Sequence, residues 1–194
     1  MRIFSVLLLG LVVLANACYA ANFEELLNKG QEAYKAGDFA EAGSLFRKAG
    51  DELGKKKDAR AVLVWGNAAI ALMKAEDYQA AADLYEQILS QKNPPKEKLQ
   101  QFYNNLSVCR ANLKQPALRL ATIDRMLKAV PKLPAAELAE IYARQGDAYR
   151  SLELYGPAAT AYDKALHALP KGAEKEQRAL LLAAAGLALG NLGE

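Results

Sequence analysis

The stretch Ala139–Pro170, AEIYARQGDAYRSLELYGPAATAYDKALHALP, decides the fold. Tyr142, Gly146 and Tyr149 recur at spacings of four and three, and Ala158, Tyr162 and Ala165 repeat that spacing after LELYGP. Such spacings place residues on one face of a helix, so the stretch predicts two helices joined by a tight turn. Gly146 and Ala158 are small, which lets the helices approach closely while the tyrosines fill the adjoining space. Gly156 is expected in the turn, where glycine tolerates conformations that other residues avoid. Pro157 suits the first turn of the second helix, and Pro170 stops it.

The pattern recurs on both sides. In 23–58, Leu26, Gly30, Ala42, Phe46 and Ala49 hold the corresponding positions, with Tyr34 one place late and Gly37-Asp38-Phe39 as the turn. In 62–95 they are Trp65, Ala69, Ala81, Tyr85 and Ile88, around Glu76-Asp77-Tyr78. In 100–133 Tyr103, Leu106 and Ser107 fit, Gln115-Pro116 makes the turn, and Arg119 stands where alanine belongs. A helix with altered packing is expected there. The opening stretch belongs to a copy at 139–172, and Leu182, Gly186 and Leu189 begin a partial copy at 176–193. Copies start near 23, 62, 100, 139 and 179, 38 to 40 residues apart.

These residues resemble the tetratricopeptide repeat family, whose signature is W-x2-L-G-x2-Y…A-x3-F…P over about 34 residues. Gln145 replaces the usual leucine, and the longer period adds residues after each second helix. The resemblance implies an all-α fold, a right-handed α-solenoid of helix-turn-helix repeats with a terminal helix, over 21–194. It also implies that first helices line a concave groove. The groove residues carried over are Asn28, Gln31 and Tyr34 in the first repeat, then Asn67 and Lys74 in the second. Gln101, Asn104, Asn105 and Asn112 follow in the third, and Arg144, Asp147 and Arg150 in the fourth. Asn28, Asn67 and Asn105 share one motif position. An asparagine amide both donates and accepts, so such a row could hold a peptide backbone without reading its side chains; asparagine is also simply common there. A different groove of the family clamps a C-terminal carboxylate. Here Leu27, Gln31, Gln101 and Asn105 stand where its lysines, asparagine and arginine belong, so that mode is not expected.

The chain has 194 residues, 52% hydrophobic and 24% charged, with a net charge of +3. That supports a packed core. It shows no basic stripe of the kind nucleic-acid binders carry; Lys55-Lys56-Lys57 reads as a solvated loop. Residues 1–20 read as a secretory signal: Arg2, an apolar run from Ile3 to Ala15, then small residues up to Ala20. The run is too short to span a membrane, which takes about 20 residues. Cleavage after Ala20 leaves Asn22 to cap the first helix, with Glu25 completing a capping box. Cleavage after Ala17 would instead put Cys18 at the N-terminus, as in bacterial lipoproteins, and only then is membrane attachment expected. Without Cys18, Cys109 is the one cysteine and no internal disulfide can form.

No catalytic set is visible. His167 is the single histidine, which removes multi-histidine metal sites and most histidine-based triads. Cys109, within a helical pattern, reads as a buried thiol. No cofactor and no small-molecule substrate are expected. The expected function is a non-enzymatic scaffold of the bacterial envelope that binds a protein or peptide in its groove. The apolar run 179–189 leaves one helix face uncovered. A homo-oligomer built through this helix, a bound partner, or a truncated product would each account for it, and an oligomerising structural subunit is the alternative function. Replacing Asn67 and Asn105 together by alanine should leave the fold intact and weaken partner binding; unchanged binding of an identified partner would contradict the asparagine row.

Overall fold

The structure, a computed structural model, describes residues 23–170, 172 and 175–192. The signal segment, Cys18, the Asn22 cap and Gly193-Glu194 lie outside the described residues. Two compact units meet at Pro94-Pro95. The first holds α1 (23–36), α2 (Phe39–Lys55), α3 (Arg60–Lys74) and α4 (Tyr78–Leu89). The second opens with a 3-10 turn, Lys96–Lys98, and holds α5 (Leu99–Asn112), α6 (Pro116–Ala129) and α7 (Ala135–Arg150). It ends with α8 (Tyr155–Ala168) and α9 (Lys175–Gly190). Within each unit, helices pack on their neighbours in sequence. Among the described residues there is no strand.

Each first helix ends in the same way. Gly37, Glu76, Lys114 and Glu153 take left-handed conformations, with φ of 85°, 62°, 55° and 59°. The next amide then reaches back to a carbonyl five residues earlier: Asp38 to Ala33, Asp77 to Leu72 and Gln115 to Arg110 at 2.9 Å, and Leu154 to Tyr149 at 3.0 Å. This wrap satisfies carbonyls that the helix end would leave open. Asp38 and Asp77 then cap the following helices, accepting from the amides of Glu41 and Ala80 at 3.2 and 3.1 Å. The left-handed residue of the fourth turn is therefore Glu153, and Gly156 lies inside α8. The glycine expected in that turn is not what makes it. Lys57 closes α2 in the same left-handed way, with φ 57°. Gly54 and Lys55 belong to α2, so only part of the lysine run is loop.

Close approach within each hairpin explains the small residues. A Cβ built on Gly30 would lie 2.7 Å from the Phe46 ring, and one on Gly146 would lie 2.6 Å from the Tyr162 ring. Real Cβ atoms do not come so near, so these helices meet at a distance that only glycine permits. Ala69 and Tyr85, both fully buried, hold the same places in the second hairpin. Trp65 works across hairpins: it lies over Gly50 and Gly54 of α2, where added Cβ atoms would come within 2.5 and 2.8 Å of its ring. Its indole N–H donates to Asp51 at 2.8 Å.

The third hairpin departs from this scheme, as the sequence predicted. Ser107 and the fully buried Ile123 replace the glycine and ring. The Ser107 hydroxyl and Arg119 Nε are buried and have no hydrogen-bond partner among the described residues. Burial lowers the Arg119 pKa, and nearby Asp147 opposes that shift. Cys109 is fully buried in α5, and burial pushes its thiol up to about 11.

Two outcomes follow. Gly146→Ala gains helix propensity of about 1 kcal/mol but overpacks the Tyr162 ring, so urea melts should show a net loss of about 1–2 kcal/mol; equal or greater stability would refute the tight contact. Cys109 should resist thiol reagents in the native protein and react after unfolding. Because its folded pKa is raised, the stability it contributes is complete below about pH 9 and is lost as pH rises towards 11. Full labelling of the native protein at pH 8 would contradict this burial.

Candidate functional site

In the first unit, α1 and α3 are the first helices of successive repeats, and they share a cavity of about 300 Å³. Gln31, Tyr34 and Lys35 come from α1, Asn67 and Ile70 from α3, and Phe46 reaches in from α2. The walls are mainly hydrocarbon, with two amides and an ammonium at their edges. Gln31 and Asn67 are exposed, so their amides are open to a ligand. Tyr34 is held in place from the side: its ring meets Phe39 edge-on, with centroids 5.2 Å apart and planes at 69°. The Lys74 ammonium lies 5.6 Å from the Tyr34 ring centre and 5.0 Å from that of Phe39, within cation–π range. Lys74 therefore braces the wall of the cavity. Asn28 is exposed on α1 but does not line it.

The sequence reading placed Gln31, Tyr34 and Asn67 here but named no apolar wall. Ile70 lies three residues after Asn67 on α3 and was not among the groove residues carried over. Phe46 reads as the ring that packs on Gly30, and it does so while also closing the cavity.

In the second unit the carried-over residues mostly bind one another. Arg144 of α7 donates to Asn104 of α5 at 3.0 Å and pairs with Glu140 at 3.3 Å. Gln100 donates to Glu137 between the same two helices. Asp147 accepts from the Tyr162 hydroxyl at 2.8 Å, and Arg150 approaches it at 3.6 Å. That bond and burial together hold the Tyr162 phenol up at about 12, with burial the larger cause. Asn112 donates to the Val108 carbonyl of its own helix. Gln101 is exposed, and Asn105 is half-buried. These side chains tie α5, α7 and α8 together. Two further cavities lie in this unit. One, of about 300 Å³, is lined by Lys114, Gln115, Arg119 and Ser151 among others. The other, of about 410 Å³, includes Gln145, Tyr149, Thr160 and Lys164.

Among the described residues, no group of three His, Cys, Asp or Glu is placed to hold a metal. His167 is exposed, with its ring beside Asp163. No helix among the described residues is long and apolar enough to cross a membrane.

No protein-family model matches the sequence, and no curated protein matches it significantly. Solved structures do match. BtubC from P. vanneervenii superposes with a TM-score of 0.66 at 20% identity, over 91% of this chain and 82% of that one. MamA from Desulfovibrio magneticus RS-1 gives 0.59 at 19% identity, over 89% and 92%. A TPR repeats protein from Bacteroides fragilis gives 0.55 at 20% identity, over 89% and 72%. With tandem helical hairpins, small-residue contacts in register and these superpositions, the chain has the tetratricopeptide-repeat α-solenoid fold.

Proposed function

We propose that the chain is a non-enzymatic scaffold that holds an extended segment of another protein against α1 and α3. The cavity between these helices carries the reading. Its apolar floor, formed by Phe46 and Ile70, suits one buried side chain of a bound peptide, and the Asn67 and Gln31 amides sit where a peptide backbone would pass. Tyr34, fixed by Phe39 and Lys74, offers a rigid face at low entropic cost. The bacterial envelope is the proposed location. That part rests on Arg2 and the apolar run in residues 1–20, with Cys18 as the attachment point if processing exposes it.

A second reading, a structural subunit that assembles through its last helix, is favoured by a separate observation. Leu180, Leu182, Leu187 and Leu189 of α9 are 72%, 56%, 60% and 58% exposed.

The groove reading is tested with ten-residue peptides selected against the full chain from a random display library. Gln31→Ala with Asn67→Ala should weaken the selected peptides by about 1–3 kcal/mol, a change of roughly fivefold to 150-fold, without lowering the melting temperature. Peptides that bind the double variant as tightly as the native chain would exclude this site.

A further inference from the structure

Arg119 is the residue that the repeat pattern does not explain. Its counterparts, each five residues after a left-handed turn residue, are Ala42, Ala81 and Ala158, and all three are fully buried. An arginine side chain is too long for that place. In the third hairpin Arg119 is half-buried and lines a cavity of about 300 Å³ between α5, α6 and α7. Lys114 from the turn, Gln115 from the start of α6 and Ser151 from the end of α7 complete its polar lining.

The charges of this cavity are unbalanced. Among the described residues, no aspartate or glutamate lines it, and neither Lys114 nor Arg119 forms a salt bridge. Asp147 is the carboxylate whose charge reaches Arg119. It already accepts from the Tyr162 hydroxyl at 2.8 Å and pairs with Arg150 at 3.6 Å. Arg119 Nε is sealed from solvent without an acceptor, and burial lowers the guanidinium pKa. The positive charge is thus held at a cost that an anion in the cavity would offset. A free donor stands beside it: the Gln115 side-chain oxygen accepts from Arg110 at 2.7 Å, which fixes the amide and leaves its NH2 group open. The Ser151 hydroxyl donates to the Asp147 carbonyl at 2.9 Å, so its oxygen remains as an acceptor.

Two cations and an amide donor around one cavity match a doubly charged oxyanion. A phosphate monoester carries about 1.5 to 2 negative charges at pH 7 and presents three acceptor oxygens, whereas a carboxylate has one charge and a planar pair. The volume also leaves room for a short carbon chain whose hydroxyl donates to Ser151. We propose that this cavity binds a phosphate group, as the free ion or as the monoester of a small polyol, with Arg119 and Lys114 neutralising it and Gln115 Nε2 donating to it. This does not depend on the groove between α1 and α3.

The test is isothermal titration calorimetry of the full chain at low ionic strength in a phosphate-free buffer. The probes are inorganic phosphate, glycerol 3-phosphate and succinate, each titrated into the native chain, Arg119→Ala and Lys114→Gln. Expected is saturable one-to-one binding of a phosphate probe at submillimolar concentration, about tenfold weaker in each variant and weakened by added salt. Lys114 is exposed, and Arg119→Ala restores the small residue of the other hairpins, so circular dichroism should show both variants folded. Tighter binding of glycerol 3-phosphate than of inorganic phosphate identifies the monoester as the ligand, and equal binding identifies the free ion. The proposal is overturned if neither phosphate probe saturates. It is overturned equally by undiminished affinity in Lys114→Gln, or by succinate binding as tightly as the phosphates.

Discussion

The arrangement depends on how closely the two helices of a hairpin can approach. Where Gly30 meets Phe46 and Gly146 meets Tyr162, an aromatic ring rests directly on helix backbone, at a separation no side chain would allow. That contact sets the spacing of these two pairs. The same logic extends between hairpins in the first unit, where Trp65 covers Gly50 and Gly54. Glycine inside a helix costs about 1 kcal/mol of propensity relative to alanine. The burial of a large ring against bare backbone offsets that, since full burial of an aromatic side chain contributes about 1.5–3 kcal/mol.

Departure from this contact changes the chemistry nearby. With Ser107 and Ile123 in the third hairpin and Arg119 in the alanine position, polar atoms enter a place that is elsewhere hydrocarbon. The second unit holds itself with a polar network as well as with packing: Arg144 to Asn104, Gln145 to Asp124, and Tyr162 to Asp147. The first unit leaves its corresponding amides at the edge of an apolar cavity. One repeat pattern thus yields an apolar-walled cavity with open amides in one unit and a self-paired polar surface in the other.

Much of the fold was legible in the sequence because helical periodicity and small residues mark which faces must touch. The tandem hairpins, the places of the first three turns and the apolar last helix could all be read from residue spacing. The conformations of the turn residues could not. Glu76, Lys114 and Glu153 adopt the conformation that glycine favours, and nothing in their chemistry announces it. Only their register with Gly37 does, and Gly156 drew attention to the wrong place. The candidate site was half legible. Its polar rim followed from motif positions, whereas Phe46 read as a packing position and Ile70 was not singled out, because an apolar side chain reads alike in a core and in a cavity wall. Arg144 read as a groove cation, and its pairing with Asn104 depends on a neighbouring helix that no local pattern specifies.

The central claim is that a glycine and an aromatic ring in contact set the spacing of the first and fourth hairpins. A double-mutant cycle on Gly146 and Tyr162 tests it most directly, through urea unfolding of the native chain, Gly146→Ala, Tyr162→Leu and the pair. Leucine frees the space that the ring occupies, so Gly146→Ala should be far less damaging in the Tyr162→Leu background, with a coupling energy of about 1 kcal/mol or more. Strict additivity, with the alanine equally harmful in both backgrounds, would contradict the account.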